Sequence, residues 1–189
     1  MKLLPKSFFR QDTTSIAKGL LGKYIVGGRM VGRIVETEAY LHDDPSSHSF
    51  RGKTLRNAPM FGRAGQSYVY FTYGMYHCFN IVTGPKGKGE AVLIRAVEPV
   101  SGIGIMKRNR GVGDVKNLCS GPAKFCIAFG LDKRHNEIDM MNERAKIKIM
   151  DSGKSEKFDI VETERIGIRE KKVLPHRFYI KGNEFVSKK

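Results

Sequence analysis

Between residues 45 and 89 the sequence contains no Asp and no Glu. A surface built from that stretch carries charge of one sign. Cysteine is also scarce. Cys78, Cys119 and Cys126 are odd in number and lack metal-type spacing, which argues against a disulfide framework and for reduced thiols in a cytosolic protein. The five histidines are scattered with no His-x-x-x-His pair, so no metal and no cofactor are expected. No apolar run approaches the roughly 20 residues of a membrane span. The start, Met1-Lys-Leu-Leu-Pro, reads against a signal peptide, because charge and proline interrupt it before an apolar region forms. Internal repeats and low-complexity segments are absent.

What is present is compact and basic. The chain has 189 residues, of which 40% are hydrophobic, enough for one globular domain spanning 1–189. Its net charge of +15 calls for an anionic partner, nucleic acid before an acidic membrane surface. The acid-free window holds six Lys or Arg, two His and eight of the 18 aromatic residues. Aromatics interleaved with positive charge stack bases and neutralise phosphates. Just before this window, Ile34-Val-Glu-Thr-Glu-Ala-Tyr40 is strand-like and carries two carboxylates. Their charge repels phosphates, and their place there makes sense if one of them does chemistry on the bound nucleic acid.

The pattern reads as an α+β domain built on antiparallel sheet. Asp12 or Thr13 caps a short helix with Ile16, Leu20 and Leu21 inward, stopped by Gly22. Residues 23–26 and 29–40 form strands around a Gly27-Gly28 turn. Residues 45–65 make a basic loop, too long for a plain connection. Residues 67–82 are strand-like with a break at Tyr73-Gly74, a second hairpin. Residues 91–97 form another strand after the Gly84–Gly89 turn. Pro99 suits the first turn of a helix running to about Asn109. Ser120-Gly121-Pro122 opens a further helix, with Phe125, Ala128 and Phe129 on one face and Gly130 as its stop. Residues 131–164 are polar and show no clear period. Residues 166–168 and 177–186 read as closing strands, the second a pair turned at Gly182-Asn183.

Several residues stand out as chemical candidates. Glu36 and Glu38 share one face of their strand, with Thr37 opposite. On spacing alone they read first as solvated charges on an edge strand. Tyr40 falls on the Glu38 face, about 7 Å along, as a ring beside an acid or as a core tyrosine. Tyr68, Tyr70 and Thr72 share a face, and Asn80 across the hairpin looks toward Tyr70. Tyr73 at the turn is a chance exposed aromatic or a wedge pushed between bases. Ser120-Gly-Pro-Ala-Lys124 offers free N–H groups and a lysine to a phosphate, although helix starts are common. Arg95 in an apolar strand needs a partner, either glutamate or a phosphate.

Four motifs, Arg33-Ile-Val-Glu-Thr-Glu-Ala-Tyr40, Tyr68-Val-Tyr-Phe-Thr-Tyr-Gly-Met-Tyr76, Val92-Leu-Ile-Arg-Ala-Val-Glu-Pro99 and Leu118-Cys-Ser-Gly-Pro-Ala-Lys124, closely resemble the alkyladenine (3-methyladenine) DNA glycosylase family. The resemblance runs over about 20–130 and resumes near 165–186. It implies a single mixed domain, a curved antiparallel sheet with a protruding hairpin, flanked by helices. It implies a monomer without cofactor that flips a damaged purine from double-stranded DNA. By the same resemblance Glu38 is the general base and Glu36 is structural. Tyr40, His48 and Tyr70 sandwich the flipped base, and Asn80 gates against guanine's amino group. Arg95 and the backbone at Ile166 help hold the attacking water, Tyr73 is the intercalating wedge and Lys124 contacts a phosphate. The expected location is cytoplasmic and nucleoid-associated, or nuclear, depending on the source.

The implied reaction is hydrolysis of a purine N-glycosidic bond by a monofunctional glycosylase, leaving an abasic site. A base inside a duplex must be extruded first, most easily when it is damaged. Purines alkylated at N3 or N7 are cationic and suit tyrosine faces. Two alternatives remain on sequence grounds. A non-catalytic nucleic-acid-binding module would use the same aromatic face without base release. A hydrolase of free nucleosides leaves the +15 charge and Tyr73 without purpose.

Overall fold

The computed structural model describes residues 1–154, 156–168 and 174–188. The elements in order are β1 (Lys2–Leu3), α1 (Thr13–Gly19), β2 (Tyr24–Gly27), β3 (Met30–Tyr40), β4 (Ser67–Thr72), β5 (Tyr76–Thr83), β6 (Glu90–Ser101), α2 (Ile103–Arg110), α3 (Pro122–Phe129), β7 (Ile147–Asp151), β8 (Ile160–Thr163) and β9 (Arg177–Ile180). All the strands belong to one curled antiparallel sheet, ordered β1-β7-β2-β3-β6-β5-β4, with β9 also on β3 and β8 on β9. The result is the expected single α+β domain.

Strand β3 organises the molecule. One edge pairs with β6 along its length; the other is shared by β2 near its start and by β9 at Glu36–Glu38. The glutamates therefore lie in the sheet interior, and the edge-strand reading is overturned. Alternation along each strand gives the sheet two faces. Thr37, Phe79 and Ile94 are fully buried in the core, where the Thr37 hydroxyl donates to the Ala17 carbonyl of α1 at 2.9 Å. Phe79 meets Phe125 of α3 edge-on at 6.1 Å. The opposite face carries Tyr68, Asn80, Leu93 and Glu38, which form one continuous cross-strand row through β4, β5, β6 and β3.

The amino-terminal helix forms as expected, with the Asp12 carboxylate accepting the Ser15 N–H at 2.9 Å. Helix α3 ends at Gly130, whose φ of 66° is the left-handed cap glycine takes cheaply.

Three expectations fail. Pro99 does not start a helix: β6 continues to Ser101 and pairs Pro99 with Gly32, beside a register shift at Val31/Gly32. Proline is tolerated in a strand at such an irregularity, and α2 begins only at Ile103. Residues 166–168 form a turn rather than a strand. Beyond β9 the chain turns at Lys181–Gly182 but makes no second strand; β9 pairs instead with β8, from the polar stretch that showed no period.

Candidate active site

A cavity of about 350 Å³ opens on the polar face of the sheet. Tyr40, His48, Tyr70, Tyr73, Asn80, Arg95 and Ile166 all line it, together with Tyr68, Cys78, Met60 and Leu93. Seven of the expected residues thus meet at one place. Glu38 lies beneath the floor with no exposed surface, bonded to the lining. Lys124 is not part of the lining, though Pro122, at the start of its helix, is. Its ammonium donates to Asn117 Oδ1 at 3.0 Å and Ser120 Oγ at 3.4 Å.

The floor is a network of carboxylates and guanidinium groups. Glu38 Oε1 accepts the Ile166 N–H at 2.9 Å and lies 3.3 Å from Arg95 Nη1. Glu38 Oε2 accepts the Tyr40 hydroxyl at 2.9 Å. Arg95 Nε is 3.2 Å from Glu36 Oε1. Glu36 is also fully buried and takes Arg177 Nε at 2.6 Å, the Ser187 hydroxyl at 3.0 Å and the Ser187 N–H at 2.7 Å. Two carboxylates and two guanidinium groups balance in charge, which is the condition for burying any of them.

A β-bulge aims the arginine. Opposite β3 the register passes from Glu36↔Ala96 to Thr37↔Ile94, so Arg95 is the extra residue with no cross-strand partner. Bulges of this kind re-aim a side chain beside a functional site.

The cavity walls are neutral aromatics. His48 shares a 2.9 Å hydrogen bond with the Tyr68 hydroxyl and meets Tyr70 edge-on at 4.5 Å. Asn57 braces the loop that carries His48, donating to the His48 and Gly52 carbonyls at 2.7 and 3.0 Å. Burial holds the His48 imidazole below the usual histidine range, helped by Arg56. Burial also raises the phenols of Tyr40, Tyr68 and Tyr70; Glu38 adds to the shift at Tyr40 and Cys78 at Tyr70. The Asn80 side-chain amide is pinned to the Tyr68 and Cys78 carbonyls at 3.0 and 3.5 Å.

Reading the sequence alone missed Arg165, Asp44, Arg177 and Ser187. Arg165 is buried and its guanidinium lies 4.6 Å over the Tyr40 ring. It pairs with Asp44 and donates to the Ala39 carbonyl at 3.0 Å. Tyr40 thus has one face covered and one available. No periodicity separates a buried, paired arginine from a solvated one, so these residues gave no signal.

Two histidines, His48 and His176, make the fold sensitive to acid. His48 is lowered by burial and then Arg56, and His176 by burial and then Arg165. In the unfolded chain both return to the ordinary 6.5. Below that value the unfolded chain binds more protons than the folded one, so stability falls with pH. The contribution is complete above pH 6.5 and lost as pH drops through the folded values. The urea midpoint should fall between pH 7 and pH 5, and the double substitution His48→Gln, His176→Gln should flatten that slope. An unchanged slope would assign the acid loss to other groups.

Comparison with known proteins accords with this arrangement. Residues 7–184 match the family described as methylpurine-DNA glycosylase. A protein of Carboxydothermus hydrogenoformans is 50% identical over 192 residues, covering 99% of this chain and 100% of that one. One from Francisella tularensis subsp. tularensis strain SCHU S4 is 47% identical over 189 residues, covering 97% and 98%. One from Methanoculleus marisnigri is 44% identical over 190 residues, covering 98% and 99%. Each of the three bears the name "Putative 3-methyladenine DNA glycosylase".

Fold, cavity and matches together define a DNA N-glycosylase, a hydrolase of N-glycosyl bonds that serves DNA repair. The chain belongs to the methylpurine-DNA glycosylase family.

Proposed function

We propose that the protein flips alkylated or deaminated purines of the 3-methyladenine type out of duplex DNA and hydrolyses their N-glycosidic bond. The whole of 1–189 acts as one monomeric domain, and an abasic site is the product. Bacterial and archaeal relatives support a cytoplasmic repair role.

The observation that carries this reading is the unequal bonding of the two buried glutamates. Glu36 accepts three hydrogen bonds, from Arg177 Nε and from the hydroxyl and N–H of Ser187, with Arg95 Nε 3.2 Å from Oε1. Glu38 accepts two, from Ile166 and Tyr40, with Arg95 Nη1 3.3 Å from Oε1, of the roughly four a carboxylate can accept. Its Oε2 accepts from the Tyr40 hydroxyl alone, beneath the lining. Both donors to Glu38 line the cavity, whereas Arg177 and Ser187 do not, so Glu38 is the carboxylate placed to take a proton from water, and it faces the positive charge that grows on the sugar. The Tyr40 hydroxyl covers Oε2, so water reaches the base as that hydroxyl shifts.

The rest of the cavity suits the leaving group. The free face of Tyr40, with His48 and Tyr70, makes a slot for a planar ring. Neutral, electron-rich phenol faces favour a cationic purine, which departs as a neutral molecule and needs little acid help. Tyr73 serves as the wedge and Lys124 as a phosphate contact. Incubation with a duplex holding one alkylated or deaminated purine, followed by alkali, should reveal strand breaks at that site. Binding without breaks would make the protein a nucleic-acid-binding module instead.

Asn80 gives this reading its specificity. Its amide is tied to two backbone carbonyls and cannot swing aside, so it acts as a fixed wall against guanine's amino group. Asn80→Ser removes the wall without adding an attraction. Excision of guanine-derived lesions should rise relative to adenine-derived ones. Equal discrimination in wild type and variant would show that the selection is made elsewhere.

A further inference from the structure

Arg95 serves two masters. Its Nη1 lies against Glu38, the base in the reading above, while its Nε points to Glu36. As the extra residue of a bulge it has no cross-strand neighbour to steady it. The side chain is long and flexible, so something else must fix the guanidinium plane. The Nε end is where it is held. Arg95 Nε donates to Ser187 Oγ at 3.2 Å. That same hydroxyl donates to Glu36 Oε1 at 3.0 Å, and the Ser187 N–H donates to Glu36 Oε2 at 2.7 Å. Arg177 fastens the segment from the other side, holding Glu36 through Nε at 2.6 Å and the Lys188 carbonyl through its outer nitrogen.

We propose that Ser187 is a positioning residue for base excision, setting through Arg95 the place of the Glu38 carboxylate. The inference rests on Glu38 being the base. The hydroxyl is an acceptor for a cation and a donor to an anion at once, which only Ser or Thr supplies in so small a space. Alanine removes both bonds to the hydroxyl but keeps the backbone N–H on Glu36, so the segment stays docked. A guanidinium whose Nε keeps only the Glu36 carboxylate, 3.2 Å away, can rotate in its plane and draw Glu38 off line.

The test is single-turnover excision, lesion-duplex affinity and melting temperature for Ser187→Ala and Ser187→Thr, each with and without Arg95→Lys. Ser187→Ala should slow excision about 10-fold, less than the roughly 10²-fold that an ångström of misplacement costs. Affinity and melting temperature should stay near wild type, and Ser187→Thr should restore the rate. In the Arg95→Lys background, which lacks the Nε donor, Ser187→Ala should have no further effect, as coupled residues require. A wild-type rate for Ser187→Ala overturns the proposal. So does an equal loss in both backgrounds, or a loss matched by a fall in melting temperature. Glu38→Gln separates the two levels: if it is inactive while Ser187→Ala is normal, only the positioning role fails. If Glu38→Gln excises normally, the base assignment fails and the positioning role goes with it.

Discussion

Glu38→Gln should reduce base release by at least about 10²-fold, the order a lost general base costs, while duplex binding holds or improves. The amide is nearly the same shape. Its oxygen can still accept from Ile166 and Arg95, and the Tyr40 hydroxyl can turn to accept from its nitrogen. The fold should therefore survive. What changes is charge. The balanced floor of two carboxylates and two guanidinium groups becomes net positive, which favours the DNA backbone. It also weakens the attraction for a cationic purine, so neutral lesions should gain more affinity than alkylated ones. Single-turnover excision and equilibrium binding on both lesion types would measure this. Near-normal excision would force the base role onto another group.

The second large effect concerns Tyr73. It is 84% exposed, so its own fold gives it little to pack on. It also sits at φ 51°, beside Gly74 at 67°. A left-handed backbone costs a side chain such as tyrosine roughly 1–2 kcal/mol, and glycine would take the position more cheaply. A strained, unpacked aromatic at a hairpin tip is held there for something other than stability. In the complex it would fill the gap left by the flipped nucleotide and offset part of an unstacking cost of a few kcal/mol. Tyr73→Ala should leave the melting temperature nearly unchanged and Tyr73→Gly should raise it. Both should cut excision severely from a paired duplex and least from a mismatch already easy to open. A marked fall in melting temperature would return Tyr73 to the core. An equal loss on paired and mismatched lesions would place its action after flipping.

The parts of this molecule that were legible in the sequence are those where local pattern and tertiary structure agree. The cap at Asp12, the hairpin break at Tyr73-Gly74 and the stop at Gly130 each depend on one residue's own preferences. The shared face of Glu38 and Tyr40 follows from strand alternation, and the direct hydrogen bond between them fulfils it. Pro99 misled because a register shift lets β6 keep a residue that most strands reject. The alternation of Ile147-Lys-Ile-Met-Asp151 in β7 was readable in principle but lay within a polar stretch. The arginine network was not readable at all. Which cation meets which carboxylate is decided by a bulge and by pairing between strands distant in sequence, and neither leaves a local mark.

The double pairing of β3 also bears on how the chain is made. Glu36 leaves the ribosome early, yet Arg177 and Ser187, which neutralise and hydrogen-bond it, follow 141 and 151 residues later. Until they arrive, a closed sheet would bury a carboxylate short of partners, a state that removal of one partner typically destabilises by about 3–5 kcal/mol. Such long-range closure is slow, but it couples assembly to competence. An interrupted chain that still carries the basic, aromatic hairpin lacks the closing strand that makes the fold hold.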